Sequence, residues 1–289
     1  ALGTADAGTT VDNGATLELS NINYSTAEAL ALSGTLGATG TSTYAGVTNI
    51  AASAVINVAT SATLNMTAGV TGSAALEKTG AGALTLSAAN SFTGDLTVSA
   101  GKVDNNSTLG DTADVIVANV AGAIYEVGAA DTIASLALAG SNSSVVLTAD
   151  LTVGDGNAKA IDGVISGAGS IIKVGSGAYT IGAAQTFTGD LTINAGKVDN
   201  NSTLADTVDV IVSNTAGSIY EVGATDTIQS LELAGTNSSV VLTAGTLTTG
   251  DAGDNTIAGV ISGGGALTKQ GSGTVTISAA QTFTGDLTV

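Results

Sequence analysis

The chain has 289 residues and a net charge of −18, with 24 acidic residues against six lysines and no arginine, histidine, cysteine, tryptophan or proline. That balance repels nucleic acid and anionic membranes, and it removes the commonest general base, thiol nucleophile, soft metal ligand and bidentate phosphate clamp. Aromatic residues make up only 3%, too few to close the core of an ordinary globule, and no apolar run approaches the roughly eighteen residues that cross a bilayer.

The opening Ala1-Leu2-Gly3-Thr4 lacks the charged and apolar leader of a signal peptide. Ser25-Thr26-Ala27-Glu28 has the form of a helix capping box, yet Leu30-Ala31-Leu32-Ser33-Gly34 alternates and stops at once, which favours a strand over a helical turn. Further on, Ala83–Ser87, Asp114–Val117, Ala123–Val127, Ile133–Leu138 and Ser144–Leu147 keep the same apolar/polar alternation. Such segments lie about ten residues apart, too close for helical crossovers. Forty glycines supply the turns between them. The chain is expected to be almost wholly β.

The marker Phe92-Thr93-Gly94-Asp95-Leu96-Thr97-Val98 returns as Phe187–Ile193 and again as Phe283–Val289, at offsets of 95 and 96 residues. Between 101–150 and 196–245, 40 of 50 positions are identical. Fixed-period repetition is the signature of a stacked, quasi-one-dimensional protein. The expectation is one continuous β-solenoid over 1–289, in tandem blocks 1–100, 101–195 and 196–289. Leu2-Gly3 aligns with Leu109-Gly110 and Val289 with Val98, so the array is expected to continue at both ends. In such a stack, coils of roughly 20–25 residues bond along the axis, giving about twelve coils. Leu84, Leu86, Leu96, Val98, Tyr179, Ile181, Leu191 and Ile193 should face inward, and Thr85, Thr97, Thr180 and Thr192 outward.

The segment Leu76-Glu77-Lys78-Thr79-Gly80-Ala81-Gly82-Ala83-Leu84-Thr85-Leu86-Ser87-Ala88-Ala89-Asn90-Ser91-Phe92-Thr93-Gly94 resembles the autotransporter-associated β-strand repeat, as do Ile171–Ile181 and Ala266–Ser278. Val98-Ser99-Ala100-Gly101-Lys102-Val103 resembles the turn that follows it. Gln185 and Gln281 stand where the repeat usually has Asn, and Asp95, Asp190 and Asp286 follow its last glycine. The resemblance implies a right-handed parallel β-helix in the secreted passenger of a bacterial surface protein, commonly an adhesin or a stalk.

No residue is assigned a catalytic, cofactor-binding or metal-binding role. Lys78, Lys173 and Lys269 recur in register, as do Lys102 and Lys197, and all read as exposed charges beside strands that blunt lateral association. Only Lys159 is unmatched. Asp111/Asp114, Asp206/Asp209, Asp155/Asp162 and Asp251/Asp254 could hold two carboxylates for glycoside hydrolysis or bind Ca²⁺ weakly; as preferred turn residues they read first as solvated turns. Gly80-Ala81-Gly82 and Gly263-Gly264-Gly265 lack the lysine and helix of a phosphate cradle and read as turns. Tyr125 and Tyr220, in the twin Ile-Tyr-Glu-Val-Gly segments, are expected to lie against the solenoid flank. The function expected is structural, as an extracellular stalk, fibre or adhesin at a bacterial surface. A self-assembling filament or sheath protomer is the alternative. From another class come a carbohydrate-active β-helix enzyme and a glycan- or ice-binding Thr face. The expected partners are further copies of the same repeat, end to end, with a host, glycan or neighbouring-cell surface beyond them. No cofactor, nucleic acid or membrane insertion is expected.

Overall fold

The structure, a computed structural model, describes residues 7–289. Among these the chain forms strands and turns and no helix. Contacts divide it into two compact units, the first ending at Ala149 and the second spanning Asp150–Val289. The alignment of Leu2-Gly3 with Leu109-Gly110 lies outside the described residues.

In the first unit the chain crosses three sheets in turn. Thr48–Ile50, Ala54–Val58 and Thr63–Met66 make one circuit; Val70–Gly72, Leu76–Thr79 and Ala83–Leu86 make the next. Every strand bonds in parallel to its equivalent one circuit away, as Val70 to Thr48, Leu76 to Ala54 and Leu84 to Leu64. Leu76, Leu96, Val115 and Leu136 stand in one file, so a circuit takes 19 to 21 residues here. The second unit repeats the plan, with Leu191, Val210 and Leu231 in file. Each unit is a parallel β-solenoid, and the described strands make about 14 coils. The twelve expected from sequence is too few because the circuits sit at the short end of the assumed length.

Alternation sets the core. All eight residues expected to face inward are buried, from the fully enclosed Leu84 to Ile181 at 7% exposure, and the four threonines between them remain half-exposed. In a coil only three or four residues wide on each side, β-branched and small side chains fill most of the interior, with a few buried rings such as Tyr44, Phe92 and Phe187 among them. Positions 101–149 and 196–244 match strand for strand: Lys102–Asn105, Asp114–Val117, Ile124–Val127, Asp131–Ile133, Ser135–Leu138 and Ser144–Leu147 return as Lys197–Asn200, Asp209–Val212, Ile219–Val222, Asp226–Ile228, Ser230–Leu233 and Ser239–Leu242.

The competing capping box does not start a helix. Leu30–Leu32 is a strand, paired on both sides by Thr9–Val11 and Thr48–Ile50. Glu28 instead turns inward, where the hydroxyls of Thr9 and Tyr24 donate to its carboxylate. The Tyr44 hydroxyl donates to its carbonyl at 2.6 Å, and the Tyr24 and Tyr44 rings stack with centroids 5.6 Å apart.

Register gives a direct test. Leu84→Ala and Leu191→Ala should each lower unfolding stability by about 3 kcal/mol, while Thr85→Ala and Thr192→Ala should cost less than about 0.5 kcal/mol. Equal losses in urea denaturation would show that the inward and outward faces are assigned wrongly.

Candidate functional site

The chemistry-bearing side chains do not converge on a cleft. They are distributed as polar groups built into the coils, in two recurrent arrangements.

The first arrangement centres on lysine. Sequence placed Lys78 and Lys173 on the surface; the structure places them inside, at 0% and 1% exposure. The reason is phase. In Leu76–Thr79 the pattern is buried at Leu76 and again at Lys78, so period two carries the lysine inward with its leucine. Its ammonium donates to the carbonyls of Thr79 and Gly80 at 2.8 Å each, and to Ala100 on the following coil at 3.1 Å. Lys173 makes the same set with Val174, Gly175 and Ala195, at 2.6, 2.9 and 3.2 Å. The half-buried Lys269 donates to Gln270 and Gly271. Gly80, Gly175 and Gly271 have φ of +71°, +68° and +75°, a left-handed turn that lets the carbonyl face the ammonium and that a side chain would strain. At Gly80 a Cβ would also meet the Val58 carbonyl oxygen at 2.2 Å. Burial pulls the ammonium groups of Lys78 and Lys173 down to about 8, so both remain charged at neutral pH. The Lys173 ammonium also lies 5.2 Å from the centre of the buried Tyr179 ring.

An amide completes this unit. Asn90 accepts the Val70 N–H at 2.9 Å from the coil before and donates to the Thr108 carbonyl at 3.1 Å on the coil after. Gln185, one methylene longer, accepts the Ile165 N–H at 2.7 Å and donates to Gly163 and Ala183. Gln281 repeats this with Ile261, Gly259 and Ala279. The substitution of Gln for Asn therefore preserves the cross-coil bond to the preceding coil.

The second arrangement corrects the tyrosines. Tyr125 and Tyr220 are wholly buried rather than on the flank. Their strands alternate with Tyr and Val inward and Ile and Glu outward, so Tyr125 stacks in file with Val103 and Val145. Asn105 donates to the Tyr125 hydroxyl at 3.1 Å and to Asp131 at 2.9 Å; Asn200 does so to Tyr220 and Asp226 at 2.9 and 2.8 Å. Burial pushes both phenols far above their usual range.

The remaining candidates stay on the surface. Lys102 pairs with Glu126 at 2.7 Å and Asp104 at 3.6 Å; Lys197 pairs with Glu221 at 2.9 Å and Asp199 at 3.3 Å. Asp114 and Asp209 accept the hydroxyls of Ser135 and Ser230. Asp155 and Asp251 close their own turns on the N–H groups of Asn157 and Gly253, and Asp254 accepts the Thr274 N–H. Asp111, Asp162 and Asp206 are exposed. Among the described residues no three carboxylates are grouped to hold a metal ion. One hollow of about 360 Å³ is walled by groups such as Leu231, Ile257, Ile261 and Leu267 and carries no carboxylate; a recess of about 240 Å³ has Glu77 as its single acid.

Tandem coils, a bonded polar interior and nearest-neighbour pairing define a β-solenoid repeat protein. Residues 76–104, 171–199 and 267–289 each match the passenger-associated-transport-repeat family model, so these three segments are similar to that repeat, consistent with an autotransporter-passenger repeat protein. The three matches coincide with the three lysine–amide units. The repeat family implies an exported, surface-associated protein. Comparison with curated proteins found no match, and comparison with solved structures found none either.

Removing a buried lysine should tell the two classes apart. Lys78→Met and Lys173→Met leave inward carbonyls without a donor and should cost about 2 kcal/mol or more each, whereas Lys102→Met, an exposed pair, should cost less than about 1 kcal/mol. Denaturant midpoints that fall equally for all three would contradict the assignment.

Proposed function

We propose that the chain is a structural section of an extracellular stalk, fibre or adhesin at a bacterial cell surface, acting by extension and contact rather than by catalysis. The observation that carries this reading is the repetition of the same coil-to-coil bonds in successive blocks: each coil meets the next, so added blocks add length without adding a new site. Exposed side chains are led by Thr, with Ala, Asn, Ser and Asp following, and a net charge of −18 supports mutual repulsion between neighbouring copies. The partners along the axis are further coils of the same repeat; beyond them the stalk presents its flank to a host, glycan or neighbouring-cell surface. The acidic turns take at most weakly held Ca²⁺.

Immunolabelling of intact producing cells, with protease shaving, tests the location. Antibody against the 101–195 block should label unpermeabilised cells, and external protease should remove the signal. Labelling only after permeabilisation would overturn the proposal.

A further inference from the structure

We propose that Asn13-Gly14, on the corner between strands Thr9–Val11 and Thr16–Ser20, is a site of spontaneous deamidation. There the folded chain converts a neutral amide into a carboxylate without releasing the corner from the next circuit. The inference rests on the chemistry of one turn and is independent of the surface-stalk reading.

Asn13 is the one asparagine in the chain that is followed by glycine. Every other asparagine precedes a residue whose Cβ crowds the approach of the backbone nitrogen to the side-chain amide. Several are also held in place. The Oδ1 atoms of Asn21 and Asn119 accept the N–H groups of Thr41 and Asn142, and Asn90, Asn105 and Asn200 are buried. Asn13 and Gly14 are both exposed. Their turn closes through the Ala15 N–H and the Asp12 carbonyl at 2.9 Å, which uses neither the Gly14 nitrogen nor the Asn13 amide. Gly14 has φ of +79°, as the third position of such a turn requires. A Cβ at Gly14 would meet no atom within 4 Å, so the space needed to close a ring is open.

The reaction needs only water and base. Hydroxide removes the Gly14 amide proton, and the nitrogen attacks the Asn13 Cγ. The N–Cγ bond forms, the Cγ–Nδ2 bond breaks, and ammonia leaves a cyclic imide behind. Water then opens the ring at Cγ to give aspartate, or at the main-chain carbonyl to give isoaspartate. Either product adds a negative charge. Asp155-Gly156 is a poorer substrate for the same closure, because an ionised carboxylate is a weak electrophile and Asp155 is already bonded to the Asn157 N–H at 2.8 Å. The corner's bonds to the next circuit leave from either side of the reacting pair. Ser33 N–H donates to Val11 at 2.8 Å and Thr35 N–H to Ala15 at 2.9 Å. Gly34 packs under the same flanks, where a Cβ would meet the Asp12 and Ala15 carbonyl oxygens at 2.3 and 2.4 Å. These contacts do not pass through Asn13 or Gly14.

The intact chain is held folded in mildly alkaline buffer made with heavy-oxygen water, then followed by isoelectric focusing and peptide mapping. An acidic form should accumulate and map to position 13, with aspartate and isoaspartate both present and both carrying the heavy isotope. That shift should be lost in Asn13→Gln, whose closure needs a larger ring. The acidic form of the wild type should keep its hydrogen-exchange protection at Ser33 and Thr35. Four results would overturn the proposal: another asparagine changing first, aspartate alone at position 13, an unchanged Asn13 in the folded chain while the urea-unfolded chain reacts there, or lost protection at Ser33 and Thr35.

Discussion

Backbone hydrogen bonding between stacked circuits is the constraint on which the rest of this protein depends. Most described strands are paired in parallel by the circuit before and the circuit after, so register must be kept from coil to coil. A slip of one residue would turn the leucine files outward and the threonine files inward. The narrow interior excludes large cores and selects Ala, Val, Leu and Ile. The corners must turn sharply, and that is where positive-φ glycines such as Gly80 and Gly175 lie.

Within that constraint the interior is not purely apolar. Corners expose carbonyls to the inside of the coil, and a buried carbonyl without a donor is costly. Lys78 and Lys173 answer this by offering three N–H bonds each, two to their own turn and one to the next circuit. Asn90 and Gln185 do the corresponding work toward the circuit before. A lysine–amide unit thus fixes a coil against both neighbours and would lose its bonds in any other register. This accounts physically for why lysine, glycine and amide recur together at the spacing of the passenger repeat. The Tyr–Asn–Asp clusters occupy the stretches between those units, so the polar interior alternates in kind along each block.

The strand pattern, the repeat length and the inward leucine files were legible in the sequence because period-two alternation and near-identical blocks both survive in the residue string. Lys78, Lys173, Tyr125 and Tyr220 were misplaced for one shared reason: polarity was given more weight than phase. Leu76-x-Lys78 and Ile171-x-Lys173 are in phase with the core, and Tyr125 is in phase with Val127, so the signal was present. Asp131 and Asp226 carried less of it. Each opens a short strand after Ala or Thr, where an aspartate looks like an ordinary turn residue, and its partners lie 22 and 26 residues back. At Glu28 the local spacing from Ser25 offered a capping box, set below a strand by the alternation that follows; its partners include Thr9 from the neighbouring circuit, which local spacing does not show.

The central claim is that the buried, charged Lys78 and Lys173 each tie one coil to the next. Amine-labelling of the folded protein, with sites read by mass spectrometry, tests it most directly. Lys102 and Lys197, ion-paired on the outside and about one-third exposed, should be modified readily, while Lys78 and Lys173 should resist until the chain is unfolded. Modification of Lys78 and Lys173 in the folded protein at the rate of Lys102 and Lys197 would contradict the account.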